Sequence, residues 1–188
     1  MIARLRREDG FSLTEMLVAA ALFALVVFVA GGIFIGQAAA QRQVSAVTSA
    51  TTDAQSAGNA IDGGIRNSTG FKLRTVGTDQ FLVARVAGTG ATLQWECRAW
   101  YYSSSAGTIR STTATPGTPM SPPTATALES WILLVDGVTP RTGSTIFSDS
   151  GATLTVAFNA VTGEGAQPVA ISFSTSPLAG VTENSTCY

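Results

Sequence analysis

Glu15 has the most unusual chemical setting in the chain. It is the last charge before residues 16–35, a run that contains none. A carboxylate at the edge of an apolar medium is costly unless a cation meets it. The chemistry it offers is therefore charge pairing. Other reactive residue types are sparse. Cys97 and Cys187 are the only cysteines, too few for a zinc cage and far apart in sequence. If this part of the chain is exported, they read as one disulfide. The chain has no histidine, which excludes Ser-His-Asp and Cys-His arrangements and His-ligated metals. No Gly-x4-Gly-Lys occurs, so the chain carries no ATPase phosphate loop. "GEGAQP" at 163–168 reads as a turn, since its glycines open no helix. Asp136, Asp149 and Glu164 would have to converge to act as paired carboxylates, and they read as solvated loop acids. Neither a metal nor a cofactor is expected.

The binding chemistry is similarly limited. Net charge is −1 and Lys72 is the only lysine, which gives weak attraction to nucleic acid or to acidic lipid. Arg66, Lys72, Arg74 and Arg85 form the one candidate basic cluster. Trp95, Trp100, Tyr101 and Tyr102 fall on an alternating pattern that assigns half of them to the core and half to a lateral surface. Asn67-Ser-Thr and Asn184-Ser-Thr match the N-glycan acceptor pattern, which is common in so Ser/Thr-rich a chain.

The elements that must hold these residues divide the chain sharply. Of its 188 residues 45% are hydrophobic, and most of that excess precedes residue 41. As a helix, 16–35 would be roughly 30 Å long, one bilayer thickness. Arg4, Arg6 and Arg7 precede it, so the positive-inside bias expects a single pass with a cytoplasmic N-terminus. Ala38-Ala39-Ala40 imitates a signal-peptide cleavage site, which would release a secreted soluble protein. Against that stand the length of the apolar run, the acids Glu8, Asp9 and Glu15, and a helical pattern that continues past Ala40.

"GFSLTEMLVA", 10–19, resembles the prepilin leader of type IV pilins and type II secretion pseudopilins. The likeness covers a short basic leader, a glycine, the phenylalanine after it, a glutamate five residues past the cut and the apolar stretch. It implies that Gly10 ends the leader and is cut on the cytoplasmic face by a prepilin peptidase. Phe11 would become the N-methylated N-terminus of the mature chain. Glu15 would then neutralise the Phe11 ammonium, in its own subunit or a neighbour's, and act as a docking key for assembly. Many pilins have a helix-weakening proline near the place where Gly31-Gly32 stand here.

Past Gly36, Ala40, Val44, Val47, Thr51, Ala54, Gly58, Ile61 and Ile65 make one small-residue stripe of a helix. One helix is expected from about Phe11 to about Ile65, weakened at Gly31-Gly32 and fraying near Gly63-Gly64. The remaining roughly 120 residues suffice for a modest core. Strands are expected in 80–87, 92–102, 130–135, 153–159 and 169–174, with "SWILLV" (130–135) as a continuous buried-strand run. Residues 112–126, rich in proline and threonine, read as an exposed loop. The expected fold is α+β, a long N-terminal helix packed on an antiparallel sheet domain. Its parts are a leader at 1–10, a transmembrane and assembly half-helix at 11–36, an amphipathic half at 37–66 and an extracytoplasmic β-rich domain at 67–188.

The resemblance implies a structural subunit, not an enzyme, of an envelope-spanning filament. Its partners would be the prepilin peptidase, other pilin or pseudopilin subunits, and indirectly a platform protein and assembly ATPase. "WILLVDGVTP…IF", 131–147, is similar to the larger minor subunits that initiate or cap filaments. The Cys97 to Cys187 span also exceeds the usual C-terminal loop of major pilins. A minor pilin or pseudopilin is thus expected ahead of a major pilin or a DNA-uptake pilin.

Overall fold

The structure, a computed structural model, describes residues 12–88, 90, 92–115, 117–161, 168–178 and 186–188. The chain divides into two compact units, Met1–Val44 and Ser45–Tyr188. Helix α1, Leu13–Arg66, runs through the boundary without a break. In the first unit it is a bare helix whose large apolar side chains are all exposed, Phe28 at 83% and Leu13 at 78% among them. Gly31-Gly32 leave it uninterrupted.

The second unit is α+β with two antiparallel sheets, where the pattern of the sequence suggests one. The first sheet has the order β1 (Ser68–Val76), β2 (Asp79–Ala87), β3 (Trp95–Ser103), β4 (Thr108–Ala114), β5 (Ile132–Val135). A short helix α2, Ala125–Glu129, precedes β5, with the Thr124 hydroxyl accepting from the Ala127 N–H at its start. The second sheet centres on β8 (Thr153–Ala160). Its Leu154–Val156 stretch pairs with both β7 (Phe147–Ser150) and β9 (Val169–Thr175), and its last residues pair with both β6 (Val138–Pro140) and β9. β9 therefore lies along one edge of β8, and β6 and β7 share the other. Between β5 and β6 the backbone turns through Gly137 at φ +62°, where a side chain would collide with the Val161 carbonyl.

α1 packs on both sheets through small residues. Ala50, Ala54, Ala57, Gly58, Ile61, Gly64 and Ile65 are buried, so the expected stripe holds from Ala54 onward. Gly58 lies against Phe173 and Ile171 of β9, and Gly64 against Trp100 of β3. These contacts pull the helix close to each sheet, because no Cβ intervenes. Gly63-Gly64 thus do not fray the helix, as expected from propensity; Gly64 sits at one of its tightest contacts. Truncating a core aromatic such as Trp100 or Phe158 to alanine is expected to cost roughly 3–5 kcal/mol.

The far face of the first sheet is also covered. Phe81, Val83, Cys97, Ala99 and Tyr101 are buried there beneath Met120, Leu128, Trp131 and Tyr188. Trp131 meets Phe81 and Tyr101 with ring centroids 6.4 Å away in each case. This corrects two expectations. Trp100, Tyr101 and Tyr102 are all buried rather than half of them lateral surface. The 112–126 segment is partly structured: its first residues belong to β4, its last begin α2, and Met120 is anchored through its N–H on the Cys187 carbonyl (2.8 Å). Cys97 and Cys187 are joined by a disulfide across a sequence separation of 90. Closing so long a loop stabilises by roughly 4–5 kcal/mol in the chain-entropy model.

Burial of the "SWILLV" run is corrected as well. β5 is a terminal strand, with Ile132 69% and Leu133 46% exposed and only Val135 of the strand buried. A continuous apolar run reads the same in an edge strand as in a central one, so periodicity alone does not place it.

Candidate assembly site

The first turn of α1 is built by backbone hydrogen bonds to Ser12. Its carbonyl accepts from Glu15 N–H (2.9 Å) and Met16 N–H (3.2 Å), and its hydroxyl lies 2.7 Å from that of Thr14. Glu15 is thereby held in the first turn, where the unsatisfied amides favour a negative charge. Its side chain is exposed, and among the described residues it has no ion-pair partner. Glu15, Val18, Ala19 and Leu22 follow the three- and four-residue steps of a helix and line one shallow concavity on its surface. A carboxylate therefore stands at the head of an apolar stripe that none of the described residues of its own unit covers.

By length and composition α1 is able to cross a membrane, and none of its most apolar stretch is buried. Gly31, Gly32 and Gly36 would each tolerate a side chain with nothing within 4 Å. Among the described residues their smallness thus fills no packing need. Small residues on an apolar helix admit close approach of a neighbouring helix. The cleavage residues of the sequence reading, Gly10 and Phe11, lie outside the described residues.

The remaining candidates are placed as follows. Arg66 is tied to Asp62 (Nε to Oδ1, 3.0 Å) at the end of α1. Lys72, Arg74 and Arg85 share one face of β1 and β2 by register, with Lys72 opposite Val83 and Arg74 opposite Phe81. Lys72 lies 5.8 Å from the Tyr188 ring centre, and Arg85 stacks at 4.8 Å over Trp95. Asp136 and Asp149 are exposed, and Glu164 lies outside the described residues. Among the described residues no three His, Cys, Asp or Glu side chains come together as a metal site would require.

Two polar groupings in the second unit were not singled out from the sequence. Gln80 is buried in β2, where its Nε2 donates to the Phe147 carbonyl (2.8 Å). Its Oε1 accepts from the N–H groups of Ile146 (2.7 Å) and Phe147 (3.0 Å), joining the two sheets. Asp79 accepts from the Tyr101 hydroxyl (2.8 Å) and the Ser104 N–H (2.8 Å). A polar residue at a strand end carries no sequence signal for either role.

Over residues 5–31 the chain matches the prokaryotic N-terminal methylation motif. No curated protein and no solved structure matches it. The matched span begins at Leu5 among the N-terminal arginines, contains Gly10, Phe11 and Glu15, and ends at Gly31 in the apolar helix.

Proposed function

We propose that this chain, whose residues 5–31 match the prokaryotic N-terminal methylation motif, is a type IV pilin-like or pseudopilin subunit, a structural part of an envelope-spanning filament with no catalytic role. Subunits of this kind are matured by a prepilin peptidase and assemble with other pilin-like subunits. In the proposed scheme 1–10 is the leader, Gly10–Phe11 the cut, and Phe11 the methylated N-terminus. The positive-inside bias of Arg4, Arg6 and Arg7 places that end in the cytoplasm before extraction. Residues 11–36 then serve as anchor and assembly helix, 37–66 as the helix that packs on the sheets, and 67–188 as the extracytoplasmic domain.

The observation that carries this reading is the methylation motif running directly into a helix with an exposed Glu15 and an uncovered apolar surface. An apolar helical stretch with nothing packed on it needs either lipid or neighbouring helices. Glu15 supplies what such neighbours need, a carboxylate for the methylated ammonium of Phe11. Both charges are expensive in an apolar filament core when separate and far less so when paired.

Within this class we favour a minor pilin or pseudopilin. The long Cys97–Cys187 loop and the 131–147 segment support that over a major pilin. Incorporation of Glu15 variants tests the scheme. Glu15→Gln removes the charge and Glu15→Lys sets two cations together, so recovery in purified filaments should fall from wild type to Gln to Lys. All three should be processed, because the peptidase acts before docking. Equal recovery of Glu15→Lys and wild type would refute the docking role.

A further inference from the structure

The open edges of the two sheets differ in kind. β1 carries Lys72 and Arg74, and β9 carries exposed Ser172 and Ser174. Charges and polar side chains of this sort discourage pairing with another chain. β5 has neither. Its sequence, Ile-Leu-Leu-Val, is uncharged, among the described residues it pairs with β4 alone, and Ile132 and Leu133 are both exposed. By register Ile132 and Leu133 point to opposite faces of the sheet, since Ile132 lies opposite Ser111 and Leu133 opposite Arg110. The strand is apolar above and below its free edge.

It is also held rigid. Just before it, the Trp131 carbonyl accepts from Arg110 Nη1 (3.0 Å), and the Trp131 ring packs on Phe81 and Tyr101. At its other end Val135 is buried. On the sheet face next to β5, Ala60 of α1, Arg98, Trp100, Ser111, Ile132 and Leu134 help to line a groove able to take a side chain from an added strand, and the Arg98 charge there is met by Glu96 (3.0 Å). A rigid edge with a ready groove loses little entropy when a strand pairs with it.

Charge selects the occupant. The edge is flanked by exposed Glu129 before it and exposed Asp136 after it, with no charge between them. A second copy pairing antiparallel on β5 would bring the end of α2 that carries Glu129 toward Asp136 of the other chain, at both ends. Like charges so placed oppose pairing. We propose that the free edge of β5 is a strand-docking site for an extended segment of a different protein, apolar at alternate positions and basic at its ends. Backbone hydrogen bonds would give the affinity, and the groove and the two acids the specificity.

The test uses the full chain in detergent micelles and two short synthetic peptides of alternating valine and threonine. One is capped at both ends by lysine and the other by glutamate. The proposal expects saturable binding of the lysine peptide, several-fold weaker binding of the glutamate peptide, and loss of binding in Leu133→Lys. Asp136→Lys, at an exposed turn position, should narrow or reverse the preference between the peptides. The proposal is overturned by absence of binding, by equal binding of both peptides, or by binding that both variants leave unchanged. Self-association of the wild type that Leu133→Lys abolishes would also overturn it, because the occupant would then be a second copy.

Discussion

Gly64 of α1 lies so close beneath Trp100 of β3 that a Cβ on the glycine would come within 2.5 Å of the indole Cζ2 and Cη2 atoms. Its neighbour Gly63 has nothing within 4 Å of the same hypothetical atom. Both residues are helical, so alanine gains about 1 kcal/mol of helix propensity at either position. At Gly64 overpacking costs about 1–3 kcal/mol and outweighs it. Denaturant unfolding followed by tryptophan fluorescence should show Gly63→Ala stabilised by up to about 1 kcal/mol. The same measurement should show Gly64→Ala destabilised by up to about 2 kcal/mol once the propensity gain is subtracted. Equal shifts in the two variants would refute the proposed contact.

The buried Gln80 gives a second expectation. Its amide satisfies the carbonyl of Phe147 and the N–H groups of Ile146 and Phe147. Leucine has similar bulk but leaves those groups buried without partners, at a cost of about 1–3 kcal/mol for each one left dry. Gln80→Leu should lower the melting temperature clearly, more than Gln55→Leu on the exposed side of α1. A Gln80→Leu protein as stable as wild type would mean that the amide does not join the sheets.

Alkaline stability follows from Tyr101. Burial pushes its hydroxyl from the ordinary 10.0 up to about 12, and the hydrogen bond and negative charge of Asp79 act in the same direction. Burial and the Asp79 charge raise Tyr102 as well. The folded state thus favours the neutral phenol, so this contribution is whole below pH 10 and is lost as pH rises from 10 toward about 12. Thermal melts across that range should fall steeply in wild type and less steeply in Tyr101→Phe. Parallel slopes in the two proteins would contradict the assignment.

The parts of the fold legible in the sequence are those where one face alone meets the core. The α1 stripe from Ala54 to Ile65 and the alternation of Leu154, Val156 and Phe158 in β8 are of this kind. β1 and β4 were not legible, because Ser, Thr, Lys and Arg occupy positions whose apolar equivalents would have revealed a strand. The burial of Tyr101 was hidden because its cover, Trp131 and the residues beside the disulfide, comes from distant sequence. Gly64 misled for a related reason. Propensity registers the weakness of glycine in a helix but not the indole that requires it. At the assembly end the reverse holds. Glu15 and the apolar run are conspicuous in sequence because they do not take part in the chain's own core; in the proposed scheme they answer to lipid and neighbouring chains.

The central claim is that this chain is processed as a prepilin, and the mature N-terminus tests it most directly. Protein purified from its native membranes should begin at Phe11 with an added methyl group on the amine when sequenced by mass spectrometry. Gly10→Val should remain uncut, because the bulkier residue stands at the cleavage position. A mature chain that begins at Met1, or at Gln41 after a cut behind Ala40, would contradict the account.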